Sequence, residues 1–204
     1  MTQWYVDVNA GVDGSGTALS PWNNVTAHRS SFAAGDILRY VGGNTPAAAV
    51  VVTESVVIDN ALGHASGTSG NPITVTTVPG QYVKFQANDS NPWRFKSVNW
   101  WIFDGGSLQA VEVDMGNSDS NGYAIRAEFG NNIQLKNCII HEGDYFTLVY
   151  FEQVADFLVE GCTIYNNIAG PNVDGAGIAF RATGGTCSGG IAVSYTHLRA
   201  HETK

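Results

Sequence analysis

The amino-acid sequence predicts an all-β fold, a right-handed parallel β-helix, on three observations. The first is internal repetition. Asn132-Ile133-Gln134-Leu135-Lys136-Asn137-Cys138-Ile139-Ile140-His141 aligns with Asp156-Phe157-Leu158-Val159-Glu160-Gly161-Cys162-Thr163-Ile164-Tyr165 at an offset of 24 residues, apolar on apolar at alternate positions and cysteine on cysteine. A period of about 20 to 30 residues built from short strands marks a solenoid, whose units bury their apolar faces only against their neighbours. The second is an earlier copy at residues 99–108, which fits with one extra glycine at the bend and a longer loop after it. The third is punctuation. The chain holds 24 glycines and many short apolar runs interrupted by Gly, Asn, Asp and Ser, as an all-β chain does.

The elements follow in order. Trp4-Tyr5-Val6-Asp7-Val8 alternates and is rich in aromatics, a first strand, and residues 9–20 form a Gly/Asp/Ser loop. Ser20-Pro21 offers an N-cap with proline at the first helical position, and Trp22, Val25 and Phe32 recur at roughly helical spacing. A short helix over residues 21–33 is therefore expected to cap the solenoid. Strands are then expected at residues 37–41, 50–53, 56–58, 73–76 and 82–85, separated by the turns Gly35-Asp36 and Pro79-Gly80 and by a glycine-rich loop at residues 60–71.

At 204 residues the chain is long enough for one domain with a sizeable core, and residues 1–192 read as that domain. The formal charge of −8 argues against nucleic acid, whose phosphates need clustered Lys and Arg. No apolar run reaches membrane-spanning length, and Met1-Thr2-Gln3-Trp4 has neither the basic start nor the apolar stretch of a signal peptide. Three cysteines make no disulfide framework. Cys138 and Cys162 fall at equivalent positions of adjacent coils and are expected as stacked buried thiols. Residues 193–203 are polar and basic, carry two of the five histidines, and resemble a translated sequencing-library adapter. Residues 193–204 are read as a non-native tail, so the natural chain is expected to continue past Ala192 and the solenoid to be cut in mid-array.

Several stretches resemble the pectin-lyase-like superfamily of right-handed parallel β-helix proteins. They are the opening Tyr-Val-Asp strand with its Gly/Asp loop and Ser-Pro-Trp, Ala34-Gly35-Asp36-Ile37-Leu38 followed by Gly42-Gly43, the segment from Ser66 to Val75 with Pro79-Gly80, and the repeat Asn-Asn-Ile-x-Leu-x-Asn-Cys-x-Ile at 131–140. The resemblance implies a carbohydrate-active protein, a fragment of a polysaccharide lyase or glycoside hydrolase acting on an acidic polysaccharide in an extracellular or virion setting. The same superfamily includes non-catalytic glycan-binding and structural members such as phage tail-spikes, and that alternative stays open.

A β-helix stacks equivalent residues of successive coils about 4.8 Å apart, so chemistry is sought in columns. Aligning Ile125, Val149 and Ile178 as inward positions puts Asn121, Tyr145 and Asp174 in one column, with Asp144 one residue away. Asp144 and Asp174 can then be neighbouring carboxylates, a pair suited to glycoside hydrolysis or to holding Ca²⁺. Glu142, His141 and Lys136 complete the candidate catalytic set. His141, a histidine at a turn, is a candidate acid or base and matches Tyr165, while Lys136 is the nearest basic strand residue and faces Glu160 as a cross-coil ion pair. In calcium-dependent lyases, which the resemblance brings in, the ion neutralises a uronate and Lys or Arg abstracts the proton. Asp-Gly and Asn-Gly also serve as plain turn formers. Glu128, Glu152 and Arg181 share another column, where Arg181 relieves carboxylate repulsion. Trp93, Trp100, Trp101, Tyr123 and Tyr150 suggest sugar stacking, although alternation assigns about half of them to the core.

Overall fold

The computed structural model describes residues 1–86, 91–116, 122–143, 147–167 and 176–182. Sixteen strands are described. They are β1 (Gln3–Val6), β2 (Ile37–Tyr40), β3 (Val50–Val52), β4 (Val56–Asp59), β5 (Ile73–Thr77), β6 (Val83–Gln86), β7 (Trp93–Lys96), β8 (Asn99–Asp104), β9 (Val111–Asp114), β10 (Ile125–Glu128), β11 (Asn131–Lys136), β12 (Cys138–Gly143), β13 (Thr147–Glu152), β14 (Leu158–Glu160), β15 (Thr163–Asn167) and β16 (Ala176–Arg181). From β2 onward every third strand stacks on the last. The first sheet is β1-β2-β5-β8-β11-β14, the second β3-β6-β9-β12-β15 and the third β4-β7-β10-β13-β16. Every strand pair in the three sheets is parallel. The fold is a three-sided parallel β-helix.

The register agrees with the repeat. Gln134 faces Leu158 and Lys136 faces Glu160, and Ile139 faces Thr163, which sets Cys138 beside Cys162. Both cysteines are buried free thiols. Cys138 Sγ donates to the Lys136 carbonyl, and burial pushes this thiol up. Ile125, Val149 and Ile178 also share one column.

Strand residues alternate between the interior and the outer face, the period that a pleated strand imposes. The inward set includes Tyr40, Phe85, Trp93, Phe95, Trp101 and Phe103, all fully buried. Their rings meet mostly edge-on or tilted, as Tyr40–Phe85 at 4.9 Å and Trp93–Phe103 at 5.4 Å do, the geometry that aromatic quadrupoles favour.

The corners are made by left-handed residues. Ser97, Phe129 and Gln153 have φ of 54°, 54° and 51°, Trp100, Asn132 and Asp156 have 58°, 55° and 51°, and Asn137 and Gly161 have 53° and 64°. Coil-to-coil hydrogen bonding runs through these bends, from Ser97 N to Glu128 O, from Phe129 N to Glu152 O and from Asn137 N to Glu160 O. At the last corner a Cβ on Gly161 would press on Asn137 Oδ1, so glycine leaves room for that side chain and takes the left-handed bend without strain.

The amino-terminal helix is a correction. Among the described residues there is no α-helix, and residues 21–33 contain only a 3₁₀ turn, Arg29–Ser31. Partners other than a helical ladder take the amides. Trp22 N donates to Tyr5 O and Asp7 N to Trp22 O, extending the sheet. Val25 N and Thr26 N donate to the Glu54 carboxylate, and Ala27 N to Asn24 Oδ1. The apolar residues still cap the interior, with Trp22, Val25 and Phe32 buried and Trp22 stacked between Trp4 and His28.

Asp36 pins this cap by accepting from Thr2 N, Trp4 Nε1 and Ala33 N. Burial alone would raise its carboxyl, but these hydrogen bonds together bring it below the usual 3.8. A lowered native pKa stabilises the fold above the unfolded value, and that contribution is lost as pH falls through the native one. Asp36→Asn should therefore cost about 1–2 kcal/mol at neutral pH. Denaturant melts between pH 7 and 2 should show the gap to wild type closing only below the ordinary aspartate range.

Candidate functional site

The outer face of the second sheet carries a linked set of ionisable groups drawn from four successive strands. Lys84 of β6 is in register with Glu112 of β9, Asp114 of β9 with His141 of β12, and His141 with Tyr165 of β15. Alternation turns all of these outward, because Val83, Phe85, Val111, Val113 and Ile140 fill the interior.

Lys84 Nζ lies 2.7 Å from Glu112 Oε1 and 3.3 Å from Asp114 Oδ2. Glu112 Oε1 is also 2.8 Å from His141 Nε2. The imidazole stacks on Tyr165, with centroids 4.8 Å apart and planes within 9°. It is buried, only 7% exposed, and its Nδ1 has no hydrogen-bond partner; Glu142 Oε1 stands 3.6 Å from it. The hydrogen bond that Lys84 donates to Glu112, helped by both carboxylate charges against partial burial, raises Lys84 above its usual 10.5. Burial, followed by the Glu112 charge, raises the Tyr165 phenol.

One imidazole and two carboxylates within 4.8 Å form a possible ligand set, yet the Lys84 ammonium already bridges the carboxylates. Ca²⁺ takes oxygen donors, and a site that includes an imidazole and an internal ammonium does not fit it. The arrangement sets the Glu112 carboxylate against the His141 imidazole, beside a lysine whose charged form those carboxylates favour.

The residues expected from the sequence divide three ways. His141 stands at the centre of the cluster. Glu142 lies next to it in the left-handed conformation, φ 60°. Lys136 is not brought to the cluster, because the bend at Asn137 separates β11 in the first sheet from β12 in the second. Its register with Glu160 holds, but among the described residues no ion pair within 4 Å joins the two. Asp144 and Asp174, with Asn121 and Tyr145, lie outside the described residues.

Lys84, Glu112 and Asp114 were not anticipated. The available signal was two alternating tetrads, Val83-Lys84-Phe85-Gln86 and Val111-Glu112-Val113-Asp114, spaced by one coil.

A second outward network covers the third sheet. Glu128, 4% exposed, accepts from Arg94 Nε at 2.5 Å and Arg126 Nη2 at 2.7 Å. Glu128, Glu152 and Arg181 do share a column, but Glu128 is neutralised mainly by arginines of the neighbouring column. Arg126 lies over the stacked rings of Tyr123 and Tyr150.

No family model matches the chain, and no curated protein matches it in sequence. Among solved structures, a rhamnogalacturonan lyase aligns with a TM-score of 0.37 and 14% identity, over 96% of this chain and 66% of that one. The chain thus spans just under two-thirds of that lyase's length.

A raised lysine pKa stabilises the fold below the unfolded value, and that contribution is lost as pH rises through the native one. Lys84→Met should cost about 1–2 kcal/mol at neutral pH. The gap to wild type should stay constant up to the ordinary lysine value of 10.5 and shrink above it, as measured by urea unfolding in alkaline buffers.

Proposed function

We propose that the chain is a carbohydrate-active β-helix protein of the pectin-lyase-like superfamily that cleaves an acidic polysaccharide on the outer face of the second sheet, by β-elimination or hydrolysis. The observation that carries the reading is the Lys84–Glu112–His141 chain of contacts at 2.7 and 2.8 Å. Lys84 bridges the Glu112 and Asp114 carboxylates and fixes them beside the imidazole. Glu112 fixes the imidazole through Nε2. Glu142, a third exposed and beside Nδ1, links the buried ring to a bound chain as the outer acid–base group. A solenoid face suits a linear polymer because it repeats these positions along an axis.

The second reading is a non-catalytic glycan-binding or structural β-helix. The burial of His141 beneath Tyr165 favours it, since a closed polar network also stiffens a sheet face.

Incubation with polygalacturonate and alginate, followed by assay of unsaturated and reducing ends, separates the two. Cleavage that falls by about a hundredfold or more in Glu112→Gln and His141→Gln supports the enzyme. No product from either polymer, or unimpaired variants, removes it. Calcium remains a proposal for Asp144 and Asp174. A Ca²⁺-dependent rise in melting temperature should disappear in Asp144→Ala and Asp174→Ala, and no rise in wild type discards the ion.

A further inference from the structure

The corner between the third and first sheets places residues with side chains in the left-handed region twice per coil. One column is Ser97, Phe129 and Gln153, and the other is Trp100, Asn132 and Asp156. The bend sets this conformation in each of these three coils, so the residue type is a separate choice. Asn and Asp tolerate the left-handed region because their short side chains bond locally, whereas a bulky aromatic gains nothing there. Burial does not explain the aromatics either. Phe129 is 47% exposed. Trp100 is half-buried and makes no ring contact among the described residues, while the neighbouring Trp93 and Trp101 supply the core. Neither backbone preference nor core packing selects these two rings.

The chemistry around them is that of hydroxyl recognition. The two columns offer one hydroxyl, two amides and the exposed carboxylate of Asp156, with no lysine or arginine. The adjoining cation, Lys96, pairs with Asp59 at 3.3 Å. A uronate would meet the Asp156 charge with no cation in either column to answer it.

We propose that Trp100 and Phe129 form a two-ring stacking subsite for a neutral pyranose chain lying along the solenoid axis. The rings stand on adjacent coils, one rise of about 4.8 Å apart along that axis. Each presents an apolar face to the C–H face of a sugar, and Ser97, Asn132 and Gln153 meet its hydroxyls. The subsite lies on a different corner from the Lys84–Glu112–His141 cluster and does not depend on cleavage there.

Affinity electrophoresis in gels cast with mixed-linkage β-glucan, galactomannan or xylan tests it, with polygalacturonate as the charged comparator. Wild type should be retarded by at least one neutral polymer. Phe129→Gln and Trp100→Asn, which install the residues used by equivalent coils, should each weaken retardation about tenfold. Their melting temperatures should be unchanged or higher. Titration with an oligosaccharide of the retarding polymer should shift wild-type tryptophan fluorescence to the blue, and Trp100→Asn should lose that shift. Glu112→Gln should bind like wild type, which separates this site from the proposed cleavage. Absence of retardation by all three neutral polymers, or full retardation of the double variant, overturns the proposal.

Discussion

The structure depends on one constraint: each coil hydrogen-bonds to the next in parallel register, through the corners as well as along the strands. Gly105 N to Lys136 O, Asn137 N to Glu160 O and Gln153 N to Arg181 O carry the ladder around bends where a sheet would ordinarily end. Left-handed residues make this possible, because they turn the chain while leaving its N–H groups aimed along the axis. Once the ladder is continuous, every lateral position is passed from coil to coil, and a side chain's neighbours are set by column.

The charged cluster is a product of that inheritance. Its members come from β6, β9 and β12, and no short stretch of sequence contains them. Lysine between two carboxylates, and a carboxylate against imidazole, give a face whose charges are mutually satisfied in a partly buried setting. Such a network is stiff, since each group is held by more than one contact. Glu128 between Arg94 and Arg126 applies the same logic on the third sheet.

The fold was legible where the repeat was short and marked. Cys138 and Cys162, with the apolar alternation around them, fixed both period and phase, and the column Ile125, Val149 and Ile178 followed. The helix at residues 21–33 was misread because the spacing of Trp22, Val25 and Phe32 records only that three residues point inward. The carboxylate that claims the amides comes from Glu54, far along the chain. Lys84, Glu112 and Asp114 escaped for a related reason: coil length varies. The partner of Lys84 is 28 residues on, that of Asp114 is 27 and that of His141 is 24. Columns spanning unequal coils cannot be aligned by a fixed period, so only the members nearest the marked repeat, His141 and Glu142, were found.

The pairing of Trp22 with Val6 has a further consequence for solubility. A terminal strand of a stacked parallel array exposes a row of free backbone groups, a template for fibril growth by any chain of similar pleat. Here Tyr5 N is engaged by Gly16 O, Tyr5 O by Trp22 N, and Asp7 N by Trp22 O. The loop that failed to become a helix thereby blunts the edge of β1 against self-templating assembly.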